Sequence, residues 1–86
     1  MFYVYVIESQ KNFDLYKGFT VDINKRLKEH NRGLTESTKN GRPWKLIYCE
    51  VLRNKQDAVE REKYLKSGWG RKYLDKVLNN YFKNIK

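Results

Sequence analysis

Cysteine occurs once in this chain of 86 residues, at Cys49, and histidine once, at His30. A lone cysteine cannot close an internal disulfide, and one of each excludes the cysteine- and histidine-rich zinc clusters. The chain therefore suits a reducing compartment, and the cytoplasm is the expected location. Long apolar runs are also missing: no stretch approaches the roughly 20 residues that a membrane span needs. The opening MFYVYVIES is apolar but has no basic flank before it and no small-residue cleavage site after it, which leaves a strand as its reading. Acidic residues are scarce, ten against nineteen Lys and Arg, for a net charge of +9. The excess is concentrated towards the end, since residues 61–86 hold eight basic and two acidic side chains. Such a surface attracts polyanions, of which nucleic acid is the commonest in a cytoplasm. A solvated face that merely aids solubility is the competing explanation.

What the chain does have is aromatic side chains: seven Tyr, four Phe and two Trp. These bury much area per residue, so one domain spanning 1–86 is expected to fold without disulfides. Residues 2–8 (FYVYVIE) and 15–20 (LYKGFT) favour strands and, joined by a short polar segment, an antiparallel hairpin. Gly18 inside the second strand marks either a bulge or a close approach to the backbone. Thr20 is a candidate cap for a helix reaching about Asn31, with Gly33 just past its end. Residues 33–43 are turn-rich and polar, and 44–52 (WKLIYCEVL) form a third strand candidate. Asn54 opens a helix to about Lys66, which Ser67-Gly68-Trp69-Gly70 breaks as a hinge. A last helix runs from about Arg71, with Tyr73, Leu74, Val77, Leu78, Tyr81, Phe82 and Ile85 at amphipathic spacing. The expected fold is α+β, a small three-stranded antiparallel sheet flanked by helices in the order ββα then βαα.

Tyr3-Val4-Tyr5 on the first strand, Tyr16-Lys17-Gly18 on the second, and Arg26 and His30 on the next helix stand in a definite order. With Ala58-Val59-Glu60-Arg61-Glu62 and Leu65-Lys66 further on, the chain resembles the GIY-YIG nuclease superfamily. It is most similar to the small stand-alone, excinuclease-like proteins of the UPF0213 type. The resemblance spans nearly the whole chain. It departs where Tyr3 and Val4 replace the family's Gly and Ile, and no asparagine after Glu62 maps onto the family's polar position, Asn79 and Asn80 lying too far along. The resemblance implies a metal-dependent endonuclease that hydrolyses phosphodiester bonds, with a non-catalytic nucleic-acid-binding module of the same fold as the alternative.

By that resemblance Tyr5 is the general base or relay for the attacking water, and Tyr16 its partner. Ordinary packing of strand aromatics competes with both roles. Arg26 and His30 are helical neighbours at i,i+4. A guanidinium suits phosphate oxygens and an imidazole can move a proton or bond the phosphate. Glu62 lies on the inward stripe with Ala58, Val59 and Leu65, where a carboxylate needs a partner or a cation. It is the expected ligand of one Mg²⁺ or Mn²⁺ ion, with an i,i+4 pair to Lys66 as the competing reading. Glu60 points away from that stripe. Lys39, Arg42, Lys66, Arg71 and Lys72 are candidate contacts to a nucleic-acid backbone, DNA before RNA. Trp44 and Trp69 are candidates for base stacking, with a buried structural role expected for each. No membrane association is expected, and a targeting protein partner or a homodimer is the remaining candidate association.

Overall fold

The computed structural model describes residues 1–85; the Ile85 side chain and Lys86, both part of the 1–86 span, lie outside the described residues. Three antiparallel strands, β1 (Phe2–Ser9), β2 (Leu15–Thr20) and β3 (Trp44–Leu52), form one sheet in the order β2-β1-β3. The helices are α1 (Ile23–Asn31), α2 (Lys55–Lys66), α3 (Gly68–Val77) and α4 (Asn79–Ile85), with a 3₁₀ turn at Lys39–Gly41 before β3. The α+β class and the three-stranded antiparallel sheet are as the sequence implies.

Strand β1 is central and covered on both faces, so its apolar residues do not alternate with polar ones. Val4 and Val6 point into one layer and pack with Ala58, Leu65 and Leu74 of α2 and α3. Tyr5 and Ile7 point into the other, with Trp44, Ile23 and Leu27. Helix α1 and the 33–43 loop therefore lie on one side of the sheet, and α2 and α3 on the other.

Helix α1 is capped by Asp22, whose carboxylate accepts from the Lys25 N–H at 3.1 Å, and not by Thr20. Thr20 ends β2, and its hydroxyl instead accepts from the Asp22 N–H at 3.2 Å, turning the chain into the helix. The exit of α1 uses Gly33 at φ 77°, with the Leu34 N–H returning to the Glu29 carbonyl at 3.1 Å. Asn54 caps α2 by accepting from the Asp57 N–H.

Ser67-Gly68-Trp69-Gly70 does not separate helices as a free hinge; α3 begins inside it. The Ser67 hydroxyl donates to the Tyr64 carbonyl at 2.6 Å, closing α2, and accepts from the Gly70 N–H at 3.2 Å, opening α3. Gly70 is pressed against the α2 backbone at Tyr64 and Leu65, where no Cβ fits. The single last helix expected from Arg71 onward is also divided, because the chain leaves helical geometry at Leu78 (φ −107°, ψ 21°) before α4. Asn79 and Asn80 follow directly, and asparagine competes with helix by bonding locally to the backbone.

Candidate active site

Tyr5 stands opposite Gly18, and Ile7 opposite Tyr16, in the β1–β2 register. That register puts both tyrosines on the face covered by α1. A Cβ at Gly18 would come within 2.7 Å of the Tyr5 Oη and 2.9 Å of its Cζ. Of the two roles open to this glycine, the structure shows the close approach: the phenol of Tyr5 lies across the bare backbone of the edge strand.

The Tyr5 Oη is 2.8 Å from the His30 Nε2, and both side chains are essentially fully buried. On the far side of the ring, the His30 Nδ1 is 2.7 Å from the Thr38 Oγ1, itself buried. The Thr38 hydroxyl also lies 3.4 Å from the Thr35 carbonyl, a longer contact than the one to His30. With the ring proton on Nδ1, the Thr38 oxygen accepts from His30 and the Nε2 lone pair is free to receive the Tyr5 hydroxyl proton. Burial, reinforced by the charge of Arg26 and opposed by Glu29, pushes the His30 pKa below its usual range and keeps the ring neutral. Burial also raises the Tyr5 pKa, with the nearby Arg26 guanidinium opposing the rise, so the phenol keeps its proton at neutral pH.

Tyr16 completes the aromatic wall. Its ring centroid lies 5.1 Å from that of His30 and 6.5 Å from that of Trp44, both edge-on. Arg26 is partly exposed and pairs with Glu29 at 3.0 Å. Glu62 comes from the opposite layer, close enough for its charge to act on the Tyr5 hydroxyl. It is mostly buried and paired with Lys66 at 3.4 Å. Glu60 is exposed and accepts from the Gln56 side chain. The structure thus brings Tyr5, Tyr16, Arg26 and His30 together, with Glu62 at their border.

Among the described residues, no group of three or more His, Cys, Asp or Glu is placed to hold a metal ion. A hard divalent cation held by one carboxylate, with waters and a phosphate oxygen filling its other positions, needs no such group. The oxygen donor of Glu62 fits that arrangement once Lys66 moves aside.

Sequence patterning misses Thr38. A hydroxyl in a polar, turn-rich loop carries no periodicity; the nearest signal is Trp44, whose Nε1 donates to the Thr38 carbonyl at 2.7 Å. Asn31 holds the same loop exit: its side chain accepts from the Trp44 N–H at 2.6 Å and donates to the Trp44 carbonyl at 3.1 Å.

The basic candidates fall into two groups. Lys39 pairs with Glu36, and the Arg42 Nε donates to the Lys39 carbonyl, both beside Lys11 in a surface hollow. Lys66, Arg71 and Lys72 belong to the corner between α2 and α3, where the unanticipated Lys17 feels the charges of Arg71 and Lys66. Trp44 is buried as expected, but Trp69 is 71% exposed, so the structural burial expected of it does not occur. It sits in the first turn of α3, a turn committed to the Ser67 cap and the Gly70 contact rather than to the core.

A model of the GIY-YIG catalytic domain matches residues 1–74. The chain is 43% identical over 67 residues to a UPF0213 protein of Clostridium perfringens, covering 77% of this chain and 71% of that one. It is 41% identical over 66 residues to a UPF0213 protein of Syntrophus aciditrophicus, covering 74% and 75%. The solution structure of a UPF0213 protein from Bacillus halodurans superposes with a TM-score of 0.55 at 27% identity, covering 90% of this chain and 85% of that one.

Proposed function

Because this chain belongs to the GIY-YIG family, a family of nucleases, we propose that it is a metal-dependent endonuclease hydrolysing phosphodiester bonds in DNA, in preference to RNA. The observation that carries this reading is the buried 2.8 Å bond between the Tyr5 hydroxyl and a neutral His30. A phenol alone is a poor base at neutral pH because its pKa is near 10. Coupled to His30, Tyr5 need never become a free phenolate.

In the proposed step, a water oxygen attacks phosphorus while one of its protons passes to the Tyr5 oxygen. The hydroxyl proton of Tyr5 passes at the same time to the His30 Nε2. The resulting imidazolium keeps its Nδ1–H on Thr38. The bond from phosphorus to the leaving oxygen breaks, and that oxygen takes a proton from solvent. Arg26 neutralises the non-bridging phosphate oxygens, where charge accumulates in the transition state. Tyr16 orients the water or the phosphate along the wall it forms with His30. A divalent ion, Mg²⁺ or Mn²⁺, held by Glu62 would neutralise charge on the phosphate and the leaving oxygen. Lys39, Arg42, Lys66, Arg71 and Lys72 are the proposed backbone contacts. The lone Cys49 accords with work in a reducing cytoplasm.

The Glu62–Lys66 pair favours one second reading, a nucleic-acid-binding module of the same fold without turnover. Cleavage of supercoiled and single-stranded DNA at low salt separates the two. With Mg²⁺ or Mn²⁺ present we expect nicking that a chelator abolishes and that Arg26→Ala and Glu62→Ala each reduce by at least about 10²-fold, the scale of losing one preorganised charge. DNA binding without any metal-dependent cut, or nicking that survives both substitutions, would leave only the binding module.

A further inference from the structure

Tryptophan is rarely left in water, because its ring is the largest apolar surface a side chain offers. Trp69, a base-stacking candidate from the sequence, is nonetheless 71% exposed, and the proposed cleavage step does not use it. The Lys72 Nζ lies 5.0 Å from its ring centroid, which covers one face with a cation and leaves the rest of the ring to solvent. The surroundings are cationic. Lys66 pairs with Glu62 at the border of the active site, and Lys17 feels Arg71 and Lys66 with Asp75 opposing them, so cations outnumber carboxylates between that border and this corner.

An exposed ring inside such a field suits a flat partner attached to an anionic chain. We propose that Trp69 is a stacking platform for an unpaired base of the substrate, with Lys72, Arg71 and Lys66 holding the adjoining phosphates. In an intact duplex each base is stacked on its neighbours, so only single-stranded, flapped or otherwise unpaired nucleic acid presents a free face to this ring. The inference rests on the proposed nuclease reading for its substrate, yet it concerns binding and needs no catalysis.

The test is equilibrium binding in the presence of a chelator at low salt, with fluorescein-labelled oligothymidine and a blunt duplex of equal length. Single strand should quench the tryptophan emission of the wild-type protein, and the quench should vanish in Trp69→Phe, where the buried Trp44 is the remaining emitter. Trp69→Ala should bind the single strand roughly 5- to 150-fold more weakly, with Trp69→Phe losing little and duplex affinity unchanged. Trp69 is exposed, so far-UV circular dichroism of both variants should match the wild type. Equal losses on single strand and duplex, or no loss on either, would overturn the platform while leaving a nucleic-acid-binding protein. Burial of Trp69 in a dimer, seen as loss of exposure with rising protein concentration, would overturn it too. Failure of the wild type to bind either DNA would instead overturn the proposed function beneath it.

Discussion

Tyr5, His30 and Thr38 form one chain of donors and acceptors, and the proposed relay needs the His30 ring proton on Nδ1, facing Thr38. Thr38→Val removes the acceptor and leaves a buried Nδ1–H unsatisfied, at a cost of about 1–3 kcal/mol. The expected outcome is a shift of ¹⁵N signals of His30 towards the other tautomer and a cleavage rate lowered about tenfold or more, with Thr38→Ser near the wild type. His30 also makes a pH prediction. Its folded pKa lies below the ordinary value of about 6.5, so the unfolded chain takes up a proton first. Stability is full above pH ~6.5 and falls as the pH drops from there towards the folded value. Denaturant melts across that window should show the decline in wild type and a flatter profile in His30→Gln. The positions of Tyr5, Tyr16, Arg26 and His30 were legible from the order of motifs. Thr38 was not, because its importance comes from a contact eight residues away that no local pattern records.

At the scale of elements, the edge strand β2 matters for what it omits. Gly18 lets the Tyr5 phenol cross the backbone, and Gly18→Ala would place a methyl 2.7 Å from its oxygen. Tyr5 is buried and bonded to His30, so it can yield only by leaving His30. Gly18→Ala should therefore reduce cleavage by about 10²-fold or more, the scale of losing a positioned base. Thermal melts should show a cooperative fold weakened by about 1–3 kcal/mol of overpacking; full activity would mean that Tyr5 does not depend on this crossing. Strands rich in Val, Tyr and Ile, the Asn54 cap and the Gly33 exit were all readable in advance. The start of α1 was misplaced because Thr20 and Asp22 are both good caps, and only the end of β2 decides between them. Gly68 and Gly70 looked like breakers, yet Gly70 is required by the contact between α2 and α3 and lies within the helix.

For the whole molecule, a net charge of +9 was plain from composition, whereas its division between two surfaces depends on the fold. Lys39 and Arg42 belong to the loop under α1, and Lys66, Arg71 and Lys72 to the corner of α2 and α3. A substrate touching both groups releases several counterions, so the logarithm of affinity should fall linearly and steeply with the logarithm of salt concentration. Charge reversal in only one group should flatten that slope partially; a flat wild-type slope would show that the charge serves solubility alone. The two sides of the sheet meet chemically at Tyr5, which receives His30 from one layer and the charge of Glu62 from the other. The most direct measurement is the single-turnover nicking rate of Tyr5→Phe beside the wild type, with saturating protein and Mg²⁺. Loss of one hydroxyl should lower the rate by about 10²- to 10⁴-fold, the range for removing a general base, with DNA affinity unchanged. A Tyr5→Phe protein that nicks at the wild-type rate would contradict the relay and the catalytic role of this site.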